Sequence, residues 1–557
     1  MQEIQKYTLQ ALLKSSAECF GDKTALSFID IQGYTYRDLY VKARELSFFL
    51  HCSGIEKGDK VAVFSENNPN WGLAYFSIAW MGAVNVPILP DFTEIEVKNI
   101  LEHSETKAIF VSKKLMARCN LETFQDKFLI IVLDDFSLPF DTEHQTIERF
   151  LRERLEEALH FEPLQVEDDD LAAIIYTSGT TGKSKGVMLS NKNLIFDVIQ
   201  SLTLVNINSE DRFLSILPLS HTYECSLGLI LPVMQGSTVY YLDKPPSASY
   251  LLPAIQKVKP TAMLTVPLIM EKIYKSQILP KFTGNKVTKM IYSVPLLRKL
   301  LNRLVGMKLY KIFGGCIRFY GIGGAPLSPE VERFLHEARF PYAIGYGLTE
   351  TSPMIAGCSP AETKLYSTGY VMKDVEVKID NPNPETGEGE ILVRGHNVMK
   401  GYFKDKLLTL NAFTHDGWFR TGDLGVFDKD RYLFIKGRLK NMILGPSGEN
   451  IYPEEIEAII NKIEGVVESV VYEKKGRLIA KVHVNYDELE ESYNNLKQSA
   501  INWQNQMQSK ISDMMVEIQE KVNKQVSKFS RLSLVVEQVE PFEKTPTQKI
   551  KRYLYID

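Results

Sequence analysis

Tyr176-Thr-Ser-Gly-Thr-Thr-Gly-Lys-Ser-Lys-Gly-Val187 crowds glycines, hydroxyls and two lysines into a dozen residues. Gly179 and Gly182 free the backbone to turn its N–H groups toward an anion. Thr177, Ser178, Thr180 and Thr181 add hydroxyl donors, and Lys183 and Lys185 add positive charge. Together they make a cradle for polyphosphate. A Walker loop needs four residues between its first glycine and its Gly-Lys-Ser. Here Gly179 is too close to Gly182, and Thr177 stands where the first glycine should be. The apolar run over 171–176 reads as a buried strand leading into the loop. Beyond it Gly186-Val-Met-Leu189 reads as a second strand, with Ser190 as N-cap of a helix beginning at Asn191. The loop is therefore expected to join two strands. A flexible Gly/Ser/Thr linker would share its composition, but two apolar strands pinning its ends argue against that.

Outward from this loop, short apolar strands alternate with helical patterns. Strands are expected over 61–64, 213–217, 238–242, 262–266 and 317–320, and helices over 71–81 and 226–234. Pro267 and Pro329 suit first helical positions, the latter behind a capping Ser328. The alternation predicts an α/β fold: a large N-terminal domain of parallel-rich sheets covered by helices. Ligands in such folds bind at the carboxyl ends of strands. Short strands and many glycines over 373–432 add a β-rich subdomain. After Gly437 the texture changes again, to a helix near Pro453, strands over 466–472 and 478–484, and a polar helical stretch over 493–529. These predict a small mobile α+β C-terminal domain.

A chain of 557 residues is too long for one core. Its 44% apolar and 24% charged content is that of an ordinary globular protein, and a net charge of −4 gives no sign of a nucleic-acid binder. Six scattered cysteines form no CxxC pair, so neither a zinc site nor a disulfide framework is indicated. No signal-peptide pattern opens the chain, and its longest apolar zone, 213–242, is broken by His221, Glu224, prolines and glycines. A cytoplasmic protein is expected, with peripheral contact at the inner face of a membrane left open. Oligomeric state is not legible.

Five further stretches follow the first loop: Leu217-Pro-Leu-Ser-His-Thr-Tyr-Glu224, Gly345-Tyr-Gly-Leu-Thr-Glu-Thr351, Gly417-Trp-Phe-Arg-Thr-Gly-Asp-Leu-Gly425, Gly437-Arg-Leu-Lys-Asn441 and Thr545-Pro-Thr-Gln-Lys549. In this order, over nearly the whole chain, they resemble the adenylate-forming (AMP-binding) superfamily. The Leu-Pro-Leu-Ser-His…Glu form, Gly448-Glu-Asn-Ile-Tyr-Pro-Glu-Glu455 and Thr-Pro-Thr-Gln-Lys-Ile-Lys551 look most like its long-chain fatty-acid–CoA ligases. The resemblance implies an adenylation domain over 1–437, a hinge over 438–441 and a mobile domain over 442–557. It also implies the reaction: a fatty carboxylate attacks the α-phosphate of ATP to give acyl-AMP and pyrophosphate, and coenzyme A then displaces AMP. An acyl-AMP ligase, an acyl–acyl-carrier-protein synthetase and a non-catalytic binding homologue are the alternatives.

Roles follow residue by residue from the same resemblance. Glu350 corresponds to the magnesium ligand, since a carboxylate beside polyphosphate needs a hard cation between them. Thr177 and the rest of the first loop hold phosphate. Asp423 and Arg438 match the ribose contacts; Tyr346, with Gly347 and Thr349 behind it, matches the aromatic beside adenine. Gly324 and Ala325 match a backbone edge against the base. His221 falls near the acyl carboxylate, where a polar core histidine is the plain alternative. Lys549 resembles the lysine that reaches the α-phosphate, Lys440 falls at the hinge, and Gly445, Ser447, Gly448 and Glu449 form the coenzyme A-side loop. Tyr223, Leu229, Met263 and Pro267 are candidate acyl-tunnel residues that could equally be core. Ser184, His396 and Gln548 depart from the family pattern without removing a needed charge.

Overall fold

The computed structural model describes residues 6–141, 143–177, 184–244, 246–444, 450–463, 465–474, 476–486, 500–545 and 549–556. The strand Leu171–Thr177 pairs antiparallel with Lys185–Ser190, with Thr177 opposite Lys185 and Tyr176 opposite Gly186. The loop that opens the sequence argument thus joins two strands, as its flanks predict. Ser190 caps the helix Asn191–Ser201 through a full capping box with Asn193.

Those two strands belong to a seven-stranded sheet that continues through Val84–Ile88, Lys60–Phe64, Thr106–Val111 and Leu129–Val132, all parallel, with Gly401–Tyr402 added antiparallel at the other edge. A second seven-stranded sheet runs Tyr342–Ile344, Phe319–Ile322, Ala262–Thr265, Arg212–Ser215, Thr238–Tyr241 and Thr24–Phe28 in parallel, ending on the short antiparallel Tyr34–Thr35. The helix Pro69–Met81 touches strands of both sheets and is buried over nearly its whole length, so its apolar residues ring it rather than form one stripe. Asn68 caps its start by accepting from Trp71 N at 2.9 Å, and Gly82, at φ 76°, ends it in the left-handed conformation.

A four-stranded antiparallel sheet of Glu376–Asp380, Gly389–Arg394, Phe419–Phe427 and Leu433–Arg438 forms the expected β-rich part. Beyond it, Val466–Lys474, Arg477–Val484 and Leu534–Glu537 form a three-stranded sheet with the helices Pro453–Ile460 and Ala500–Asn523. These elements enclose a core of their own, including Ile456, Val471, Val482, Ile518 and Val535.

Two expectations need adjusting. The helix over 226–234 is preceded by a turn at Thr222–Glu224 and widens into a π-helical stretch over Cys225–Ile230 before closing as Leu231–Gln235. Ser328 holds the capping place before Pro329–Ala338, but its side chain makes no capping bond.

Candidate active site

Loops at the strand ends and the C-terminal segment converge on one cleft. Thr177 ends its strand with Oγ1 buried and without a partner among the described residues. Across the ladder Lys185 directs Nζ to Glu350 Oε1 and to the Tyr402 hydroxyl, both at 2.8 Å, and Tyr402 donates to the same Glu350 oxygen at 2.8 Å. Glu350 sits in the short 3-10 turn Thr349–Thr351, pinned by Met399 N donating to its carbonyl at 2.9 Å. Burial is the largest single influence and would raise its carboxyl, but the Lys185 charge together with the hydrogen bonds from Lys185 and Tyr402 holds it below the usual carboxylate range. Tyr402 is the group that sequence reasoning missed. Its position comes from the pairing of Gly401–Tyr402 with Lys185–Ser190, a contact between segments 217 residues apart.

The second carboxylate, Asp423, lies one strand from Arg438. The two are register partners, with Arg438 Nε 2.8 Å from Oδ1, while the Tyr346 hydroxyl donates to Oδ2 at 2.8 Å. Burial raises the Asp423 carboxyl and outweighs the opposing effects of Arg438, Tyr346 and Lys549. Tyr346 is tied to Asp423 by that bond while its ring packs against the main core. Gly347 has no room for a side chain: a Cβ there would lie 1.8 Å from the Pro353 carbonyl. Gly324, at φ 83°, makes the turn after Phe319–Ile322 and leaves Ala325 exposed.

His221 caps the helical turn after it, Nδ1 accepting from Tyr223 N at 3.2 Å. That bond places the proton of the neutral ring on Nε2. Burial first, and the Lys549 charge second, pull its pKa down to about 4, so the imidazole is neutral at pH 7.

Lys549 is exposed yet stands inside the cleft, within electrostatic reach of Asp423, Glu350, Arg438 and His221. Burial by the cleft walls and repulsion from Arg438 lower its ammonium, against the pull of the two carboxylates. Lys440, in the turn Leu439–Asn441, is also lowered, by burial and then by Arg438, Lys185 and Lys549. Beyond the hinge position that its motif implies, Lys440 is coupled electrostatically to Arg438, Lys185, Asp423 and Lys549. Lys185, Arg438, Lys440 and Lys549 thus face Glu350 and Asp423, an excess of positive charge suited to a polyphosphate.

Ser178, Gly179, Thr180, Thr181, Gly182 and Lys183, the residues Gly445, Ser447, Gly448 and Glu449 expected on the coenzyme A side, and Gln548 lie outside the described residues.

An apolar cavity of about 50 Å³ is lined by Tyr223, two residues after His221 in the chain, and by Leu227, Leu231, Leu264, Gly345 and Met354 among others. Gly321 forms one wall because a Cβ there would stand 2.9 Å from the Tyr223 hydroxyl. Of the expected tunnel residues only Tyr223 lines this cavity. Leu229 packs in the main core and Met263 in the core of the second sheet, while Pro267 starts the helix Pro267–Ile273. An apolar residue near a site cannot be assigned to wall or core from sequence.

The AMP-binding enzyme family matches residues 13–403. Among curated relatives, 4-coumarate–CoA ligase 2 of Nicotiana tabacum is 30% identical over 475 residues, covering 82% of this chain and 80% of the relative. The peroxisomal long chain acyl-CoA synthetase 6 of Arabidopsis thaliana is 31% identical over 496 residues, covering 83% and 70%. Among solved structures, o-succinylbenzoate CoA synthetase of Bacillus subtilis with its acyl-adenylate superposes with a TM-score of 0.74 at 22% identity, covering 98% of both chains. ATP-bound MatB of Rhodopseudomonas palustris gives 0.75 at 22% identity, covering 99% and 98%. The chain belongs to the AMP-binding enzyme family. Within it, this protein is an adenylate-forming acid–CoA ligase.

Proposed function

We propose that this ligase activates a long-chain fatty acid: the carboxylate attacks the α-phosphate of ATP, pyrophosphate leaves, and coenzyme A then takes the acyl group and releases AMP. The observation that carries the acid's identity is the cavity lined by Tyr223, whose walls are almost wholly aliphatic and aromatic carbon. Its narrowness means that Leu227, Leu231 and Met354, side chains with rotatable ends, shift to admit a long chain.

Each side chain has a task in this reading. Asp423 accepts from the ribose hydroxyls and Arg438 holds it in place. Tyr346, fixed by Asp423, flanks the adenine, with the backbone at Gly324 and Ala325 along its edge. His221 presents Nε2–H to the acyl carboxylate. Lys549 stabilises charge that builds around the α-phosphate, an effect strongest when the donor is already in place. Glu350 fits a magnesium site, since its two protein partners both fall on Oε1 and the Thr177 hydroxyl is left over nearby. Magnesium bound there with the phosphates neutralises negative charge.

The domain reading belongs to the same proposal: adenylation domain 1–437, hinge 438–441, mobile domain 442–557. With Lys549 in the cleft, the chain has the arrangement suited to adenylation. Rotation about Lys440 would withdraw Lys549 and bring residues 445–449 in for thioester formation.

A phenylpropanoid acid is the second reading, favoured by the 4-coumarate–CoA ligases among the relatives. Coenzyme A-dependent AMP release with saturated acids of graded length, beside 4-coumarate, separates the two. A kcat/KM that rises with chain length supports the proposal; a preference for 4-coumarate over every alkyl acid overturns it.

A further inference from the structure

The helices Lys286–Ser293 and Pro295–Ile312 carry apolar side chains on the side where a surface helix should be polar. Along Pro295–Ile312 the inward stripe is Asn302, Gly306 and Leu309, all buried. Gly306 allows the close approach, since a Cβ there would meet Ala338 at 2.6 Å. Helical spacing puts Leu296, Leu300, Leu304 and Met307 on the opposite side, and all four are exposed, Leu296 by 81%. The shorter helix has no buried residue, and Val287 and Met290 (68% exposed) extend the patch, with Val294 between the helices.

Charge around this patch has one sign. Residues 267–316 contain ten lysines and arginines and a single acidic residue, Glu271, in a chain whose net charge is −4. The neighbouring helix Pro329–Ala338 supplies Glu337, which is spent on Arg298 at 2.8 Å, Glu330, which accepts from Tyr274, and Glu332, which is buried. Lys286, Lys289, Lys299, Arg303, Lys308 and Lys311 make no ion pair among the described residues.

We propose that this two-helix face is a docking surface for an anionic phospholipid bilayer, its leucines and methionines entering the headgroup boundary and its basic rim meeting lipid phosphates. Protruding aliphatic carbon ringed by unpaired cations matches a surface that is apolar beneath and negative on top. A protein partner or a second copy would need acidic groups facing the rim; this face, being basic throughout, repels its own copy. The inference does not depend on which acid the site activates.

The test is flotation of the whole protein with vesicles of phosphatidylcholine alone and of phosphatidylcholine mixed with phosphatidylglycerol. The wild type should float with the mixed vesicles, and far less with neutral ones or in high salt. L296S/L300S/L304S and K299E/R303E/K308E should each lose binding by more than about tenfold. Both should keep the thermal midpoint and the rate of acyl-AMP formation from a soluble acid. Two results overturn the proposal: a wild type that stays with the unbound protein, or variants that float like it. A wild-type dimer in sedimentation velocity that the leucine variant dissolves also overturns it, in favour of self-association.

Discussion

Lys185 and Glu350, 165 residues apart in the chain, meet at 2.8 Å, and the Tyr402 hydroxyl bonds to both. This triangle holds a buried carboxylate ionised at the start of the strand Lys185–Ser190.

Replacing that charge tests the metal role. Glu350→Gln keeps the side chain's shape but leaves Lys185 without a counter-ion. ATP–pyrophosphate exchange should fall by about 10²–10³, with the magnesium requirement displaced to higher concentration. A folded variant with unchanged turnover at low magnesium would remove Glu350 from the metal site.

Asp423→Ala should weaken ATP binding by roughly 1.5–3 kcal/mol, the scale of a hydrogen bond to a charged group. It also frees Arg438 and the Tyr346 hydroxyl. Binding of the acid should be unaffected. Calorimetric titration with ATP decides the point, and an unaltered affinity would exclude the ribose role.

Lys549→Ala should cut acyl-AMP formation by about 10²–10³ and leave conversion of pre-made acyl-AMP to the thioester nearly intact. The His221 pKa should rise above about 4, because one of the two causes holding it down is gone. Single-turnover assays of each half-reaction, with a histidine titration by NMR, test both. Equal loss in both halves would refute domain alternation for this residue, and an unmoved His221 pKa would place Lys549 outside the cleft.

Glu224→Gln should stabilise the fold. Glu224 is buried, its Oε2 has no partner among the described residues, and burial pushes its carboxyl up to about 8. A raised carboxyl contributes full stability below its unfolded pKa of about 4.3, and that contribution is lost as pH rises through the folded value. A neutral glutamine avoids the loss. The variant's melting temperature should therefore exceed that of the wild type by a few degrees near neutrality, by a margin that widens from about pH 5 to about pH 8. A margin that does not depend on pH would mean the carboxyl is not the titrating group.

Local pattern alone marked most of the elements that frame the site. The strands Leu171–Thr177 and Lys185–Ser190, the capped helix at Asn191 and the Pro267 and Pro329 helix starts each depend on residues within a few positions of one another. The π-helical widening over Cys225–Ile230 was not legible. Gly228 sits there with a would-be Cβ 2.7 Å from Glu224 Cδ, a contact that no periodicity encodes.

The sequence by itself determined which loops are candidates for the chemistry, because a glycine- and hydroxyl-rich cradle, a capped helix or a Gly-rich turn is a property of adjacent residues. Tertiary structure alone decided which side chains lie together: Tyr402 with Lys185 and Glu350, Lys440 with Arg438, Lys185 and Lys549, and Tyr223 rather than Leu229 or Met263 along the cavity. Electrostatic coupling and cavity walls depend on distance in space, and sheet pairing brings together residues that the chain keeps hundreds of positions apart.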